Sequence, residues 1–483
     1  MVNNLLAGLL DAGSFRRWDD GSPESVITGA GTIGARPVAV VASDFGFRGG
    51  SIGLVAGERL ARAVERATGE RRPLIALPAS GGTRMQEGTA AFLQMLKVTA
   101  AVTRHKAAGL PYVVYLRHPV TGGVLASWAS LGHLTLAEPG ALIGFLGPRV
   151  GEALTGRPFP AGVQVAEHLH AHGLIDAVVP PADLPARLAA VLQALAPVLP
   201  SQRDPGMPGP AANGGEAGGR GARDRGDGRD GQGRRQEAGA WEAVCRTRGR
   251  DYPRGAGLVA AAARDVAMVA AAGGLSLAVG RIPGRAASLA EAGQVVLAWQ
   301  AHDAPLGVAG LRLARRGIEL AGGLGLPLVT VIDTPGAELS VAAEEAGIAG
   351  QVARCLEDMI TLDSPTVAVL LGQGTGGGAL ALLAADRVIA AGHAWLAPLA
   401  PEGASAIVHR DTAHAADLAR AQGIRAADLA AAGLVDRVVS TADPAELSAA
   451  LAAALRDALA GLLPLDAATR AAARHARFRA LGC

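Results

Sequence analysis

The chain has 483 residues, half of them apolar, and a formal net charge of +2. That length suits two domains of roughly 200 residues rather than one core, and the near-neutral charge argues against a dedicated nucleic-acid binder. Its three cysteines, Cys245, Cys355 and Cys483, are far apart with no C-x-x-C pair, which argues against a disulfide framework or zinc ribbon and fits a reducing, cytoplasmic setting.

The N-terminus carries Asp11 and no basic region ahead of a long apolar stretch, so no secretory signal is expected. Short apolar runs then alternate with longer Ala/Leu-rich stretches. Strands are predicted over 38–42, 74–77 and 112–116, and helices over 57–68, 89–108 and 183–195. The stretch 201–240 is dense in Gly, Arg, Asp and Pro and has almost no large apolar residue, so it reads as a disordered linker. The most apolar segment, 266–280, is too short to span a membrane. It reads as the start of a buried domain. Helices follow over 307–323 and 344–361, strands over 328–332 and 366–371, and a terminal helix over 444–462. Strands alternating with helices predict an α/β fold on mainly parallel sheets. Three segments result: an N-terminal domain over 1–200, the linker over 201–240 and a C-terminal domain over 241–483.

The halves repeat each other. Leu74-Ile75-Ala76-Leu77 before Ser80-Gly81-Gly82 matches Leu328-Val329-Thr330-Val331 before Thr334-Pro335-Gly336. Gly122-Gly123-Val124-Leu125-Ala126 pairs with Gly377-Gly378-Ala379-Leu380-Ala381, and Gly173-Leu174-Ile175-Asp176 with Gly433-Leu434-Val435-Asp436. Three landmarks in one order imply a duplicated domain. Each glycine turn joins a strand to a helix. The first residues of a helix carry N–H groups with no acceptor in that helix, and glycine lets the backbone approach a ligand closely. Two converging N–H groups form an oxyanion hole, so one hole per half is expected, suited to two reactants. Gly372, Gly374 and Gly377 match a dinucleotide fingerprint only weakly, with no Walker lysine and no clear ribose-binding acid. No nucleophile elbow, triad or metal cage is evident. His118, His133, His393 and His409 read as structural, and Glu87, Glu344 and Glu345 as solvated helix faces. A site with oxyanion holes and no protein base implies that the base arrives with a substrate.

At these turns the N-half resembles the β subunit, and the C-half the α subunit, of acetyl-CoA carboxylase carboxyltransferase. The N-half carriers are Asp44 to Gly53 (Asp-Phe-Gly-Phe-Arg-Gly-Gly-Ser-Ile-Gly), Ala79 to Gly88 (Ala-Ser-Gly-Gly-Thr-Arg-Met-Gln-Glu-Gly) and Gly122-Gly123-Val124. Those of the C-half are Ile332-Asp333-Thr334-Pro335-Gly336-Ala337, Gly377-Gly378-Ala379 and Pro401 to Ile407. The resemblance implies two crotonase-like ββα superhelix domains in tandem and carboxyl transfer from N-carboxybiotin to an acyl-CoA. It implies Gly122, Gly123, Gly377 and Gly378 as catalytic donors. Ser80, Gly81, Gly82, Arg84, Gly336 and Ala337 would bind substrate. Biotin would ride on a separate carrier protein charged by a biotin carboxylase, with no metal bound by this chain. The halves would meet across a dimer or larger homo-oligomer, with neither nucleic acid nor membrane as partner. The family's Tyr-Pro-Gly after Asp-Thr-Pro-Gly-Ala is Glu338-Leu339-Ser340 here, a departure bearing on the acyl group rather than the reaction. Two alternatives stay open: a malonyl-thioester decarboxylase of the same superfamily and a non-catalytic CoA-binding scaffold.

Overall fold

Buried apolar runs make the strands. Val38 through Ala42 are all at most 3% exposed, the pattern of a strand covered on both faces. The computed structural model describes residues 2–156, 158–195, 239–284 and 293–482. Of the predicted linker, only Gly239 and Ala240 fall among them, and Ala240 already opens the helix Ala240–Arg248.

The first sheet runs Arg16–Arg17, Val26–Ile33, Arg36–Ser43, Leu74–Leu77, Tyr112–Leu116, Leu134–Ala137 and Ala177–Val178 from edge to edge. Its first three strands are antiparallel and the rest parallel. The second sheet repeats this plan with Arg264–Ala272, Leu275–Ile282, Gly293–Gln300, Leu328–Thr334, Thr366–Thr375, Arg387–Ala391 and Arg437–Val439. Helices follow the parallel strands, as crossover connections between parallel strands require. The fold is thus α/β, with two similar units in tandem. Among the described residues, no single helix is long and apolar enough to cross a membrane.

Two expectations change. The helix predicted over 344–361 is two helices, Val341–Glu345 and Ile348–Thr361, because Gly347 takes φ 74° between them. The segment 266–280 is not buried throughout. Its first part belongs to the edge strand Arg264–Ala272, where Met268 and Val269 are 55% and 51% exposed, since an edge strand has a neighbour on one side only.

The two units share one core, and polar contacts cross between them. Thr89 Oγ1 donates to the Leu396 carbonyl at 2.9 Å, and Lys106 pairs with Glu357 at 2.7 Å. The C-terminal helix Ala467–Ala480 returns to the first unit. There Arg479 meets Glu58 at 2.7 Å, beside the buried Lys97 at 3.0 Å. Hydrogen bonding from Arg479, then from Lys97 and Arg62, outweighs burial and holds the Glu58 carboxyl at about 2, against an ordinary 4.5. A depressed carboxyl stabilises the fold above its ordinary value and loses that effect as pH falls toward the folded value. Glu58→Gln is therefore expected to cost about 2 kcal/mol at neutral pH, the partial exposure of the carboxylate screening the rest. Urea unfolding at a series of pH values checks this: the gap between wild type and variant should close between about pH 4.5 and 2. A gap independent of pH contradicts it.

Candidate active site

The four glycine turns are built alike, pair by pair, at one spacing (334 − 80 = 254). Ser80 Oγ accepts the Gly82 N–H at 3.0 Å, and Thr334 Oγ1 accepts that of Gly336 at 3.2 Å. Gly82 and Gly336 both take positive φ, 103° and 133°, a region that glycine enters without a Cβ penalty. Ile52 bridges Thr83 in parallel fashion, as Leu306 bridges Ala337. Leu306 bonds to the residues on either side of Ala337, which turns Ala337's own N–H to the opposite face. Thr121 and Thr375 are the N-caps of the short helices Gly122–Leu125 and Gly376–Leu380. Gly122 and Gly376, with φ of 62° and 57°, occupy the same place. The structure therefore corrects the repeat by one residue: Gly122-Gly123 corresponds to Gly376-Gly377, not to Gly377-Gly378. The run of three glycines at 376–378 hides this in the sequence.

Within each unit the two turns press together. Thr121 N–H donates to the Ser80 carbonyl at 2.9 Å. A Cβ on Gly82 would stand 3.3 Å from the Gly123 nitrogen, and one on Gly378 would stand 2.9 Å from the Ala337 nitrogen. The units then face each other across one cavity of about 210 Å³. Gly81, Thr83, Gly122 and Gly123 line it from the first unit, and Gly336, Ala337, Gly376 and Gly377 from the second. Phe92, Phe145, Leu339 and Ile407 add apolar wall. Among the described residues, no acidic, basic, histidine, cysteine or tyrosine side chain lines it.

Of the predicted site residues, Gly81, Gly122, Gly123, Gly336, Ala337 and Gly377 come together here. The Gly122 N–H is already given to the Phe145 carbonyl at 3.1 Å, so Gly123 is the donor this turn offers. Gly377 is its counterpart. As first-turn residues, neither has an acceptor in its own helix. Ser80, Gly82 and Gly378 lie behind the lining and shape the turns. Arg84 is not brought to the cavity. It is buried, and its guanidinium is spent on Glu24, on Glu87 at 2.9 Å and on the Ser51 carbonyl at 2.9 Å. Both halves of a single chain enclose the cavity.

Acids read from the sequence as solvated turn out to be structural. Glu87 accepts the Leu54 N–H at 2.6 Å, at the start of the helix Leu54–Gly69. Glu344 crosses between units. Its carboxylate accepts the Phe145 N–H at 3.0 Å, the Leu146 N–H at 2.9 Å and the Gln164 amide at 2.7 Å. Burial pushes its carboxyl above the usual range against the pull of those bonds. The Phe145 ring reaches the other unit, where a Cβ on Gly377 would stand 3.3 Å from it. Behind the second unit's turns lies fully buried Asp333, which accepts the Gln373 N–H at 2.9 Å and sits 3.2 Å from His302 Nδ1. His118 and His133 accept backbone N–H groups, from Leu142 and Tyr112 respectively, as expected of structural histidines. The roles of Phe145, Glu344 and Gly376 escaped the sequence reading. For Gly376, its place in the glycine run was the available signal.

Comparison with known proteins agrees with this layout. Residues 13–204 match the carboxyl transferase domain family, and residues 305–482 match the acetyl co-enzyme A carboxylase carboxyltransferase-like family. A probable biotin-dependent acyl-coenzyme A carboxylase beta3 subunit of Mycobacterium tuberculosis is 47% identical over 100% of this chain and 98% of its own length. The acetyl-coenzyme A carboxylase carboxyl transferase subunits beta/alpha of Salinispora arenicola are 38% identical over 96% of this chain and 82% of that protein. Among solved structures, transcarboxylase 12S is 21% identical, with a TM-score of 0.39, and 96% of this chain and 89% of that one are covered. The chain belongs to the carboxyltransferase subunits of biotin-dependent acyl-CoA carboxylases. Its two units correspond to the two matched family domains.

Gly378→Ala forces a Cβ against backbone at 2.9 Å. Displacing the Ala337 turn is expected to lower turnover about 100-fold, the scale of losing one oxyanion donor. Gly257→Ala, where nothing lies within 4 Å, should leave turnover unchanged. Steady-state kinetics on both variants checks the pair. Glu344→Gln sets an amide NH₂ where both carboxylate oxygens now accept N–H groups. It is expected to cost about 1–3 kcal/mol of stability, measured by denaturant unfolding.

Proposed function

We propose that the cavity moves a carboxyl group from carrier-borne carboxybiotin to the α-carbon of a short acyl-CoA, acetyl-CoA first among them, giving malonyl-CoA or a homologue. One observation carries the reading: two equivalent donor turns, one per unit, line one cavity in which, among the described residues, no titratable side chain stands. At about 210 Å³ it lies below the 300–1,000 Å³ of a whole-ligand pocket. It suits the reacting ends of two ligands whose handles stay outside, and a short acyl group.

Gly123 would donate to the thioester oxygen as negative charge develops there. Gly377 and Ala337 would hold the biotin ureido oxygen. The second cradle fits such a group because its close backbone approach depends on glycine at 378, and Phe145 closes the side facing Gly377. Carboxybiotin, when bound, supplies the carboxyl group and a basic ureido atom. Backbone donors inside an apolar wall are fixed before the reaction, so their stabilisation of a developing oxyanion is not offset by solvent reorganisation. The apolar wall also keeps water from a carbanion at the α-carbon. The partners in this reading are a biotin carboxylase and a biotin carrier in the cytoplasm, with this chain as a homo-oligomer; the dependence on biotin is supported by the name of the Mycobacterium tuberculosis relative.

The test is incubation of the purified protein with malonyl-CoA, with and without free biocytin. The expected result is loss of malonyl-CoA that requires biocytin and yields acetyl-CoA. Release of CO₂ at the same rate without biocytin would overturn the reading in favour of a decarboxylase. No turnover of either malonyl- or methylmalonyl-CoA would overturn it in favour of a scaffold.

A further inference from the structure

We propose that His168, His172 and Glu345 form a binding site for one divalent metal ion of the zinc type, joining the two units of the chain. His168 lies on the helix Ala166–Ala171 of the first unit, and His172 caps its C-terminus. The i, i+4 spacing sets two imidazoles on one helix face. Glu345 ends the helix Val341–Glu345 of the second unit. Each side chain offers one ligand atom, and the three atoms lie within 4.8 Å of one another.

The hydrogen bonding prepares both imidazoles. His172 Nδ1 stands 2.9 Å from the His168 carbonyl. A carbonyl accepts only from N–H, so Nδ1 carries the proton and Nε2 keeps its lone pair for a metal. His168 Nε2 is buried and has no hydrogen-bond partner, which a buried polar atom rarely tolerates. It lies 3.3 Å from Glu345 Oε1. Zinc bonds of about 2.0–2.1 Å at tetrahedral angles put neighbouring ligand atoms about 3.3–3.4 Å apart. The His168–Glu345 pair already has that separation. Two imidazoles and a carboxylate suit zinc and its neighbours and leave a fourth position for water. The site does not touch the 210 Å³ cavity, and the proposal stands apart from the carboxyl-transfer reading. It departs from the sequence-based expectation that this chain binds no metal. Its place in the fold gives it a structural role, because Glu345 follows the Glu344 that holds Phe145 and Leu146.

The experiment is titration of the full chain, stripped with a chelator, first with Co²⁺ and then with Zn²⁺. One Co²⁺ per chain is expected, with the visible absorption of a tetrahedral site, displaced by one equivalent of Zn²⁺ that also raises Tm. His172→Gln and Glu345→Gln each change a side chain at least partly open to solvent, so both should fold. Each is expected to weaken Zn²⁺ binding at least about tenfold, since loss of even an outer-shell partner costs that much. His409→Gln, in the other close histidine pair, should leave binding unchanged. Absence of a stoichiometric Co²⁺ site, or equal Zn²⁺ affinity in wild type, His172→Gln and Glu345→Gln, would overturn the proposal and leave His168 and Glu345 as an ion pair only.

Discussion

A single carboxylate holds the two halves of the cavity in register. Glu344 belongs to the second unit but takes the Phe145 and Leu146 N–H groups of the first, at 3.0 and 2.9 Å. Left without an acceptor in a buried wall, each such amide costs about 1–3 kcal/mol. Seating them seats the Phe145 ring against Gly377, and the Phe145 carbonyl in turn takes the Gly122 N–H. One residue of the first unit thus touches the donor turns of both. A Cβ on Gly377 would stand 3.3 Å from this ring, so a side chain there would push against it.

Duplication explains why the two sets are so alike. A strand, a Ser or Thr that ties its own glycine, a second strand and a short helix with Thr at its N-cap position recur at a constant spacing. The donors proposed here are backbone N–H groups, which depend on chain path rather than on side-chain identity. The copies can therefore diverge around the turns and still present equivalent donors. Divergence is plain at Glu338-Leu339-Ser340, where Leu339 faces the cavity.

Features set by local chemistry were legible in the sequence. Strands Leu74–Leu77 and Tyr112–Leu116 have the predicted bounds, because fully buried apolar runs leave little choice. The glycine turns were legible too, since positive φ and close backbone approach demand that residue. The rest depended on distant partners. Arg84 reads as a substrate ligand until its pairing with buried Glu24, 60 residues away, is seen. Glu344 reads as solvated until it meets Phe145, 199 residues away. The one-residue slip at Gly376 came from matching glycines by type, when the strand partners Ser80–Val120 and Thr334–Gly374 reveal the frame.

The most direct measurement is a crystal structure of the protein holding an acyl-CoA and biocytin together. The account predicts both ligands in one cavity, with the thioester oxygen at about 2.7–3.2 Å from the Gly123 nitrogen and the ureido oxygen at the same distance from that of Gly377. Ligands in separate cavities, or oxygens bonded elsewhere while both glycine amides face only protein, would contradict it.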